Sequence, residues 1–239
     1  MGRTELQRLE PTGTPVLARR GPDEIVRRRY DRVARVYDGL CWVVERGAAR
    51  WRQDLWSGVA GRVIEVGIGT GTSLVCHPPE ADVVGIDVSS RMLERAHRRA
   101  TRLGSRVRLE LADVQALPFD DASFDCAVTT FVFCSVPDPA RGFAELVRVL
   151  KPGGKLLMVE HVLSDRRLLR WLLRWLDPVP YRLLGCHVAR ETTASLCAAG
   201  FAMEASKDLW LDIIRRLDAR KPMHLPPKAE AHGLLTTRT

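Results

Sequence analysis

Residues Arg62–Val66 (RVIEV) run directly into Gly67-Ile-Gly69-Thr-Gly71. A short continuous apolar run reads as a strand buried on both faces, which calls for a parallel sheet covered by helices. Glycines at its end let the backbone turn sharply and let a ligand approach the peptide groups. A dinucleotide fingerprint, G-x-G-x-x-G, would need glycine at position 72, which is Thr72. No Lys-Ser or Lys-Thr pair follows, so a P-loop is excluded. The spacing G-x-G-x-G therefore suits a nucleoside ligand without a pyrophosphate.

A regular alternation continues along the chain. Strands are predicted over 82–87, 106–111, 124–130 and 155–160, with a final one over 201–207. Helices are predicted over 89–103 (N-cap Ser89 or Ser90, stop at Gly104), 139–150 (stopped by Pro152 and Gly153), 165–176 and 191–199. This order means an α/β fold, a doubly wound Rossmann-like sheet with its ligand crevice at the carboxyl ends of the strands. Residues 23–56 carry a helical pattern and read as an N-terminal helical lid; 57–221 form the single folded domain. The polar arm 1–22 and the tail 222–239, both broken by prolines, read as flexible and disordered.

Acidic residues mark the ends of successive predicted strands. Glu65 precedes the glycine loop, where a carboxylate would repel phosphate but can anchor a cationic amino group, directly or through water. Asp87 ends the second strand and is placed to accept hydrogen bonds from two ribose hydroxyls. Asp113 follows the third strand and can accept from an exocyclic adenine amine, with Val114 and Met92 sandwiching the ring. The bland reading of both aspartates is solvated loop acids. Their joint spacing with Glu65, Gly67, Gly69 and Gly71 favours a site.

Composition sets the outer limits. Of 239 residues, 46% are hydrophobic, enough for a core, so whole-chain disorder is excluded. The start has no apolar signal segment and no run of about 18 apolar residues exists, so the reading is a cytoplasmic protein without a spanning helix. Six scattered cysteines without a C-x-x-C pair predict buried thiols and no metal site. The net charge of +8 permits nucleic acid, an anionic membrane or an acidic substrate as partner.

The chain resembles the class I S-adenosylmethionine-dependent methyltransferases in VIEVGIGTG (63–71), VVGIDVSSRML (83–93), ADVQALPFDDASFDCAV (112–128) and VLKPGGKLLMVEHV (149–162). The resemblance covers residues 28–207 and implies a seven-stranded sheet whose last strand inserts antiparallel. It implies that Glu65, Gly67, Gly69, Gly71, Asp87 and Asp113 bind S-adenosylmethionine, with S-adenosylhomocysteine as product. YDRVARVYD (30–38) is similar to the quinone C-methyltransferases and bacterial phosphatidylethanolamine N-methyltransferases. FCSV (133–136), EHV (160–162), LDP (176–178) and GCHVARETTASLCAAGF (185–201) are similar to the alkyl-thiol methyltransferases. Those thiol enzymes carry a membrane anchor that has no counterpart here.

Methyl transfer from a sulfonium is an in-line displacement, so the protein chiefly positions the reactants and excludes water. His161, Cys134 and Phe131 fall where an acceptor should sit. His161 is the candidate base or orienting group, with a structural histidine as the alternative; Cys134 reads as packing. Tyr30 and Tyr37, seven apart on one helical face, read as lid residues, Tyr30 over the cofactor. The helix 165–176 reads as a cover over the acceptor pocket with Arg166, Arg170 and Arg174 in water, while its tryptophans also fit a membrane surface. The arginines of 91–102 read as a solvated face, and the absence of an N-P-P-Y or D-P-P-Y motif ranks nucleic acid low. The expected function is a methyltransferase acting on a small lipophilic acceptor: a thiol, a phenol or quinone, or an amine. The alternatives are a phospholipid N-methyltransferase at an anionic membrane and a non-catalytic nucleoside-binding interaction protein.

Overall fold

The computed structural model describes residues 22–35, 37–40, 42–178, 181, 186–187 and 190–223. The arm and nearly all of the tail expected to be flexible lie outside them. Three helices come first: α1 (Pro22–Val33), α2 (Tyr37–Leu40) and α3 (Trp42–Trp56). Then follow β1 (Arg62–Val66), a 3-10 turn (Thr72–Cys76), β2 (Asp82–Asp87), α4 (Ser90–Leu103), β3 (Arg108–Leu111), β4 (Phe124–Thr130), α5 (Pro139–Val149) and β5 (Leu150–His161). The chain continues through α6 (Arg167–Leu176), α7 (Thr192–Ala198), β6 (Ala202–Trp210) and β7 (Ile214–Arg220).

The strands form one seven-stranded sheet in the order β3-β2-β1-β4-β5-β7-β6. β1 to β5 pair in parallel, and β7 inserts antiparallel between β5 and β6. The direction of winding reverses between β1 and β4, which places the ligand crevice at that point. Both faces of the sheet are covered. Ile64, Val84, Ile86, Ala127, Leu156 and Met158 pack under α5 and α7. Val63, Val83, Val128, Leu157 and Val159 pack against Leu55 and Trp56 of α3.

Local signals set the ends of the elements. Ser89 caps α4 by accepting from Met92 N at 3.2 Å, and Gly104 ends that helix in the left-handed region. Asp138 caps α5 from Arg141 N, with Pro139 in its first turn.

The structure departs from the sequence reading in three places. The helical pattern of 23–56 is broken into three helices, so Tyr30 and Tyr37 lie on different ones. The strand expected over 155–160 starts at Leu150, running through Pro152 and Gly153. β7 went unread because arginines fill it. Only Ile214, Leu217 and Ala219 are buried, while Arg216 pairs with Asp218 at 2.8 Å and Arg220 with Glu204.

Arg148 fastens the segment 117–121 to α5. It donates to Glu145 at 2.8 Å, to the carbonyls of Leu117 and Phe119 at 2.9 and 2.7 Å, and to Asp121 at 2.7 Å. Arg148→Ala should cost about 1–3 kcal/mol. At roughly 2–4 °C per kcal/mol for a chain of this size, a thermal melt resolves the loss.

Candidate functional site

A cleft of about 760 Å³ opens at the carboxyl ends of β1, β2, β3 and β4. Gly67 and Gly69 form one wall, Asp87, Met92, Asp113 and Val114 another, and Phe131, Val132, Ser135 and Val136 a third. Val26, Tyr30 and Tyr37 close it from the helical side.

The glycine loop requires glycine for two separate reasons. Gly67 has φ +67, and a Cβ there would lie 2.5 Å from Val132 Cγ2. Gly71 has φ +79, and a Cβ would meet Leu74 Cδ1 at 2.7 Å. The loop is held by Asp87, whose Oδ2 accepts from Gly69 N at 2.9 Å and whose Oδ1 accepts from Ser89 N at 2.8 Å. Burial pushes the Asp87 carboxyl up to about 6, against the lowering effect of these backbone donors, and the nearby Asp31 adds to the rise. Asp113 Oδ1 accepts from Gln115 N at 2.9 Å, and both its oxygens accept from Gln115 Nε2 at 3.1 Å. Gln115 Oε1 in turn accepts from Asp138 N at 2.9 Å, tying this acid to the start of α5.

Eight of the residues picked from sequence line the cleft: Tyr30, Gly67, Gly69, Asp87, Met92, Asp113, Val114 and Phe131. Glu65, Gly71 and His161 do not. Glu65 sits on the opposite face of β1, buried, with Oε2 2.8 Å from His77 Nε2, and the His77 ring packs on Trp56 with centroids 4.2 Å apart. Strand alternation explains this: Ile64 and Val66 face the α5 side, so Glu65 faces α3. Gly71 shapes the turn from behind. His161 lies behind Phe131, their ring centroids 4.8 Å apart.

The lid is latched at two points that sequence reasoning missed. The Tyr30 hydroxyl and Ser135 Oγ share a hydrogen bond of 2.7 Å. Burial raises the Tyr30 phenol well above its ordinary range. Next to it, Asp31 Oδ1 accepts from Ser89 Oγ at 2.6 Å, joining α1 to the cap of α4. The Tyr30 and Tyr37 rings still meet, at 6.3 Å, although the helix between them is broken. The run Tyr30-Asp31 offered a signal for this latch; Ser135 offered none.

The loop after β4 rests on Glu160. Its Oε1 accepts from Val132 N at 2.7 Å, Phe133 N at 3.1 Å and Thr129 Oγ1 at 3.4 Å, and burial raises its carboxyl. Phe131 itself has φ +56, a strained position for a bulky residue. Beneath it, Cys134 Sγ donates to the Phe131 carbonyl at 3.5 Å; its interaction with the Cys186 thiol and burial hold the Cys134 thiol well above the usual range, with His161 acting in the opposite sense. Burial acts to lower the His161 imidazole, but Cys134 and Glu160 outweigh it and the net shift is upward.

The expected pocket cover is α1, not α6. No residue of α6 lines the cleft, and of its side chains only Leu173 is buried. Leu168, Trp171 and Trp175 are 80%, 64% and 68% exposed. Among the described residues no helix is long and apolar enough to cross a membrane.

Comparisons with known proteins agree with this geometry. Residues 64–158 match the family model described as "Methyltransferase domain". A phosphatidylethanolamine N-methyltransferase of Cereibacter sphaeroides is 36% identical over 145 residues, covering 60% of this chain and 71% of that protein. A demethylmenaquinone methyltransferase of Clavibacter sepedonicus is 31% identical over 229 residues, covering 84% of this chain and 93% of that one. A geranyl diphosphate methyltransferase solved in complex with SAM superposes with a TM-score of 0.61 at 18% identity, over 72% of this chain and 84% of that one.

The raised Asp87 carboxyl gives a pH test. If Asp87 accepts from the ribose hydroxyls as expected, its neutral form is the poorer acceptor, so affinity for S-adenosylmethionine should fall as pH drops through about 6. The loss should approach about tenfold per pH unit below that point. The ligand-free protein should respond in the opposite sense: a carboxyl raised on folding contributes stability below its unfolded value of 3.8, lost as pH rises through about 6. Calorimetric titrations between pH 5 and 8 on the wild type and Asp87→Asn check this, and the variant should bind weakly with a flat profile.

Proposed function

The chain belongs to the S-adenosylmethionine-dependent methyltransferases, and from that membership we propose that it methylates a small lipophilic acceptor. The carrying observation is the division of the cleft. Its acids, Asp87 and Asp113, stand together at the β2 and β3 end, while Phe131, Val132, Val136 and Pro137 form an apolar wall at the β4 end. No lysine or arginine is among the described residues that line it. An acceptor bearing a phosphate inside the cleft would find no cation there, whereas a thiol, a phenol or a quinone-like ring would be dry and close-packed.

In this reading Asp87 holds the ribose, Gly67 and Gly69 let the cofactor approach the loop, and Met92, Asp113 and Val114 hold the adenine. Tyr30, with Val26 and Tyr37, closes over the reacting pair and excludes water. The leaving sulfonium is already activated, so orientation supplies most of the rate. The Tyr30–Ser135 pair is the polar contact on the apolar side, and it positions the acceptor's nucleophilic atom. His161, screened by Phe131, acts by seating that ring; it does not take the proton itself.

The exposed apolar face of α6 favours a second element of this reading, delivery of the acceptor from an anionic lipid surface. Trp171, Trp175 and Leu168 project beside Arg166 and Arg167, a pairing of apolar and basic side chains suited to the headgroup boundary. The demethylmenaquinone and phosphatidylethanolamine methyltransferases among the relatives take their names from lipids, which supports the same class of acceptor.

Turnover on a panel of alkyl thiols, phenols, naphthoquinols and phosphatidylethanolamine vesicles tests the acceptor. Methylation of the first three classes is expected, and product formed only from phosphatidylethanolamine, or from none of the panel, would overturn the reading. Tyr30→Phe should lower turnover about tenfold, the order contributed by one positioned hydrogen bond, with cofactor affinity within twofold. Sedimentation with phosphatidylglycerol vesicles should carry the protein down in low salt and release it in high salt. Trp171→Ser with Trp175→Ser should abolish that binding and leave turnover on a soluble thiol unchanged; retained binding removes α6 from membrane contact.

A further inference from the structure

Spacing in the sequence gave no metal motif, but the fold brings two cysteines and a histidine together from three separate segments. Cys134 lies in the loop after β4, His161 ends β5, and Cys186 lies between α6 and α7. One ligand atom from each lies within 4.8 Å of the other two. Cys134 is buried and its partners are half-buried. His161 Nδ1 is buried without a hydrogen-bond partner, and the imidazole interacts with the Cys134 thiol.

Two sulfurs and an imidazole nitrogen are a donor set for a soft or borderline divalent cation. Zinc takes thiolates at about 2.3 Å and imidazoles at about 2.0–2.1 Å, so tetrahedral ligand atoms sit roughly 3.3–3.8 Å apart. The ligand atoms, up to 4.8 Å apart, would close by about 1 Å on binding to reach that spacing. Charge also balances. Two thiolates neutralise a divalent cation, and the neighbouring Glu160 carboxylate and Arg190 guanidinium, both in electrostatic contact with Cys134, offset each other.

We propose that Cys134, His161 and Cys186 bind Zn2+. Binding converts both thiols to thiolates, with two protons released to solvent and no change of oxidation state. Three protein ligands leave one coordination position for water or another donor. The site lies directly behind the apolar end of the cleft: Ser135, the neighbour of Cys134, and Phe131, packed on His161, both line it. A cation there would pin the loop after β4 and the segment carrying Cys186 to the end of β5. The proposal goes beyond methyl transfer and does not depend on which acceptor is used.

The test is metal binding by the full chain, read without any activity assay. The protein is purified under reducing conditions, equilibrated with Zn2+, dialysed and analysed for metal, and a second sample is titrated with Co2+. One zinc per chain and thiolate-to-cobalt charge-transfer absorption are expected. Cys186→Ser and His161→Ala, each checked for native circular dichroism, should weaken Zn2+ affinity at least tenfold. Cys76→Ser, outside the cluster, should change nothing. Substoichiometric zinc in the reduced wild type would overturn the proposal, as would unchanged affinity in both cluster variants. Zinc-refractory protein in which mass spectrometry finds a Cys134–Cys186 disulfide would overturn it too, since the pair would then serve as a covalent tie. Zinc binding with no turnover on any acceptor would leave this site standing while sinking the acceptor reading.

Discussion

The buried carboxylate of Glu160 is the constraint on which the β4 side of the cleft depends. It draws the amides of Val132 and Phe133 onto one oxygen, at 2.7 and 3.1 Å, and so fixes a turn that begins with Phe131 in the left-handed region. A bulky residue held there costs of order 1–3 kcal/mol. Hydrogen bonds from amides to a charged acceptor, at about 1.5–3 kcal/mol each, are large enough to offset it. The result is a loop that alternates its burdens. Phe131 and Ser135 face the cleft, Phe133 stacks on Phe143 in the core at 3.9 Å, and Cys134 turns toward His161 and Cys186. One carboxylate thus sets the cleft wall, the core beneath it and the thiol cluster behind it.

A second chain of hydrogen bonds connects the cofactor side to the lid. Asp87 holds Gly69 and Ser89 through their amides; Ser89 passes its hydroxyl to Asp31 on α1; Tyr30, one residue earlier, reaches Ser135 on the other side of the cleft. The lid is therefore tied to both walls by adjacent residues. Burial and the neighbouring Asp31 raise Asp87, so the ligand-free site carries two acids in unfavourable proximity. Under the proposed reading, a cationic sulfonium ligand with hydroxyls to donate would relieve that tension.

What was legible in the sequence followed from burial. β1, β2 and β4 were read at their observed bounds because each is apolar on both faces, and Ser89 and Gly104 marked α4 because caps obey local rules. β7 was not legible: its arginines satisfy themselves with Asp218 and Glu204 beside the strand, so the polar residues that hid it are also what stabilise it. The glycines Gly67 and Gly69 and the acids after β2 and β3 do line one cleft, since the ends of parallel strands bring them together. Glu65, expected from its charge and from the family resemblance to anchor an amino group, faces His77 because of the two-residue period of a strand and does not line the cleft directly. The acceptor end was poorly legible. Ser135, Glu160 and the meeting of Cys134 with Cys186 depend on where three loops converge, which no spacing records.

The charge distribution ties these observations together. The net charge of +8 comes with arginines on outward faces of α4 and around α6, and the cleft has none among its described lining residues. Arginines near α6 are not all spent in ion pairs of the fold: Arg174 reaches Glu191 at 3.4 Å and Arg170 binds the Ser164 carbonyl at 2.9 Å, whereas Arg166 and Arg167 lie in the open next to Leu168. Exposing Trp171 and Trp175 to water has a hydrophobic cost of about 25 cal/mol for each Å² left bare. A helix that bears this cost beside exposed arginines would suit, under the proposed reading, the boundary of an anionic bilayer. An acceptor dissolved in that bilayer would need a cleft without cations and a wall of Phe131, Val132 and Val136 to receive it. On the proposed reading, the basic exterior and the apolar cleft would serve one lipophilic substrate, with no need of nucleic acid to account for the charge.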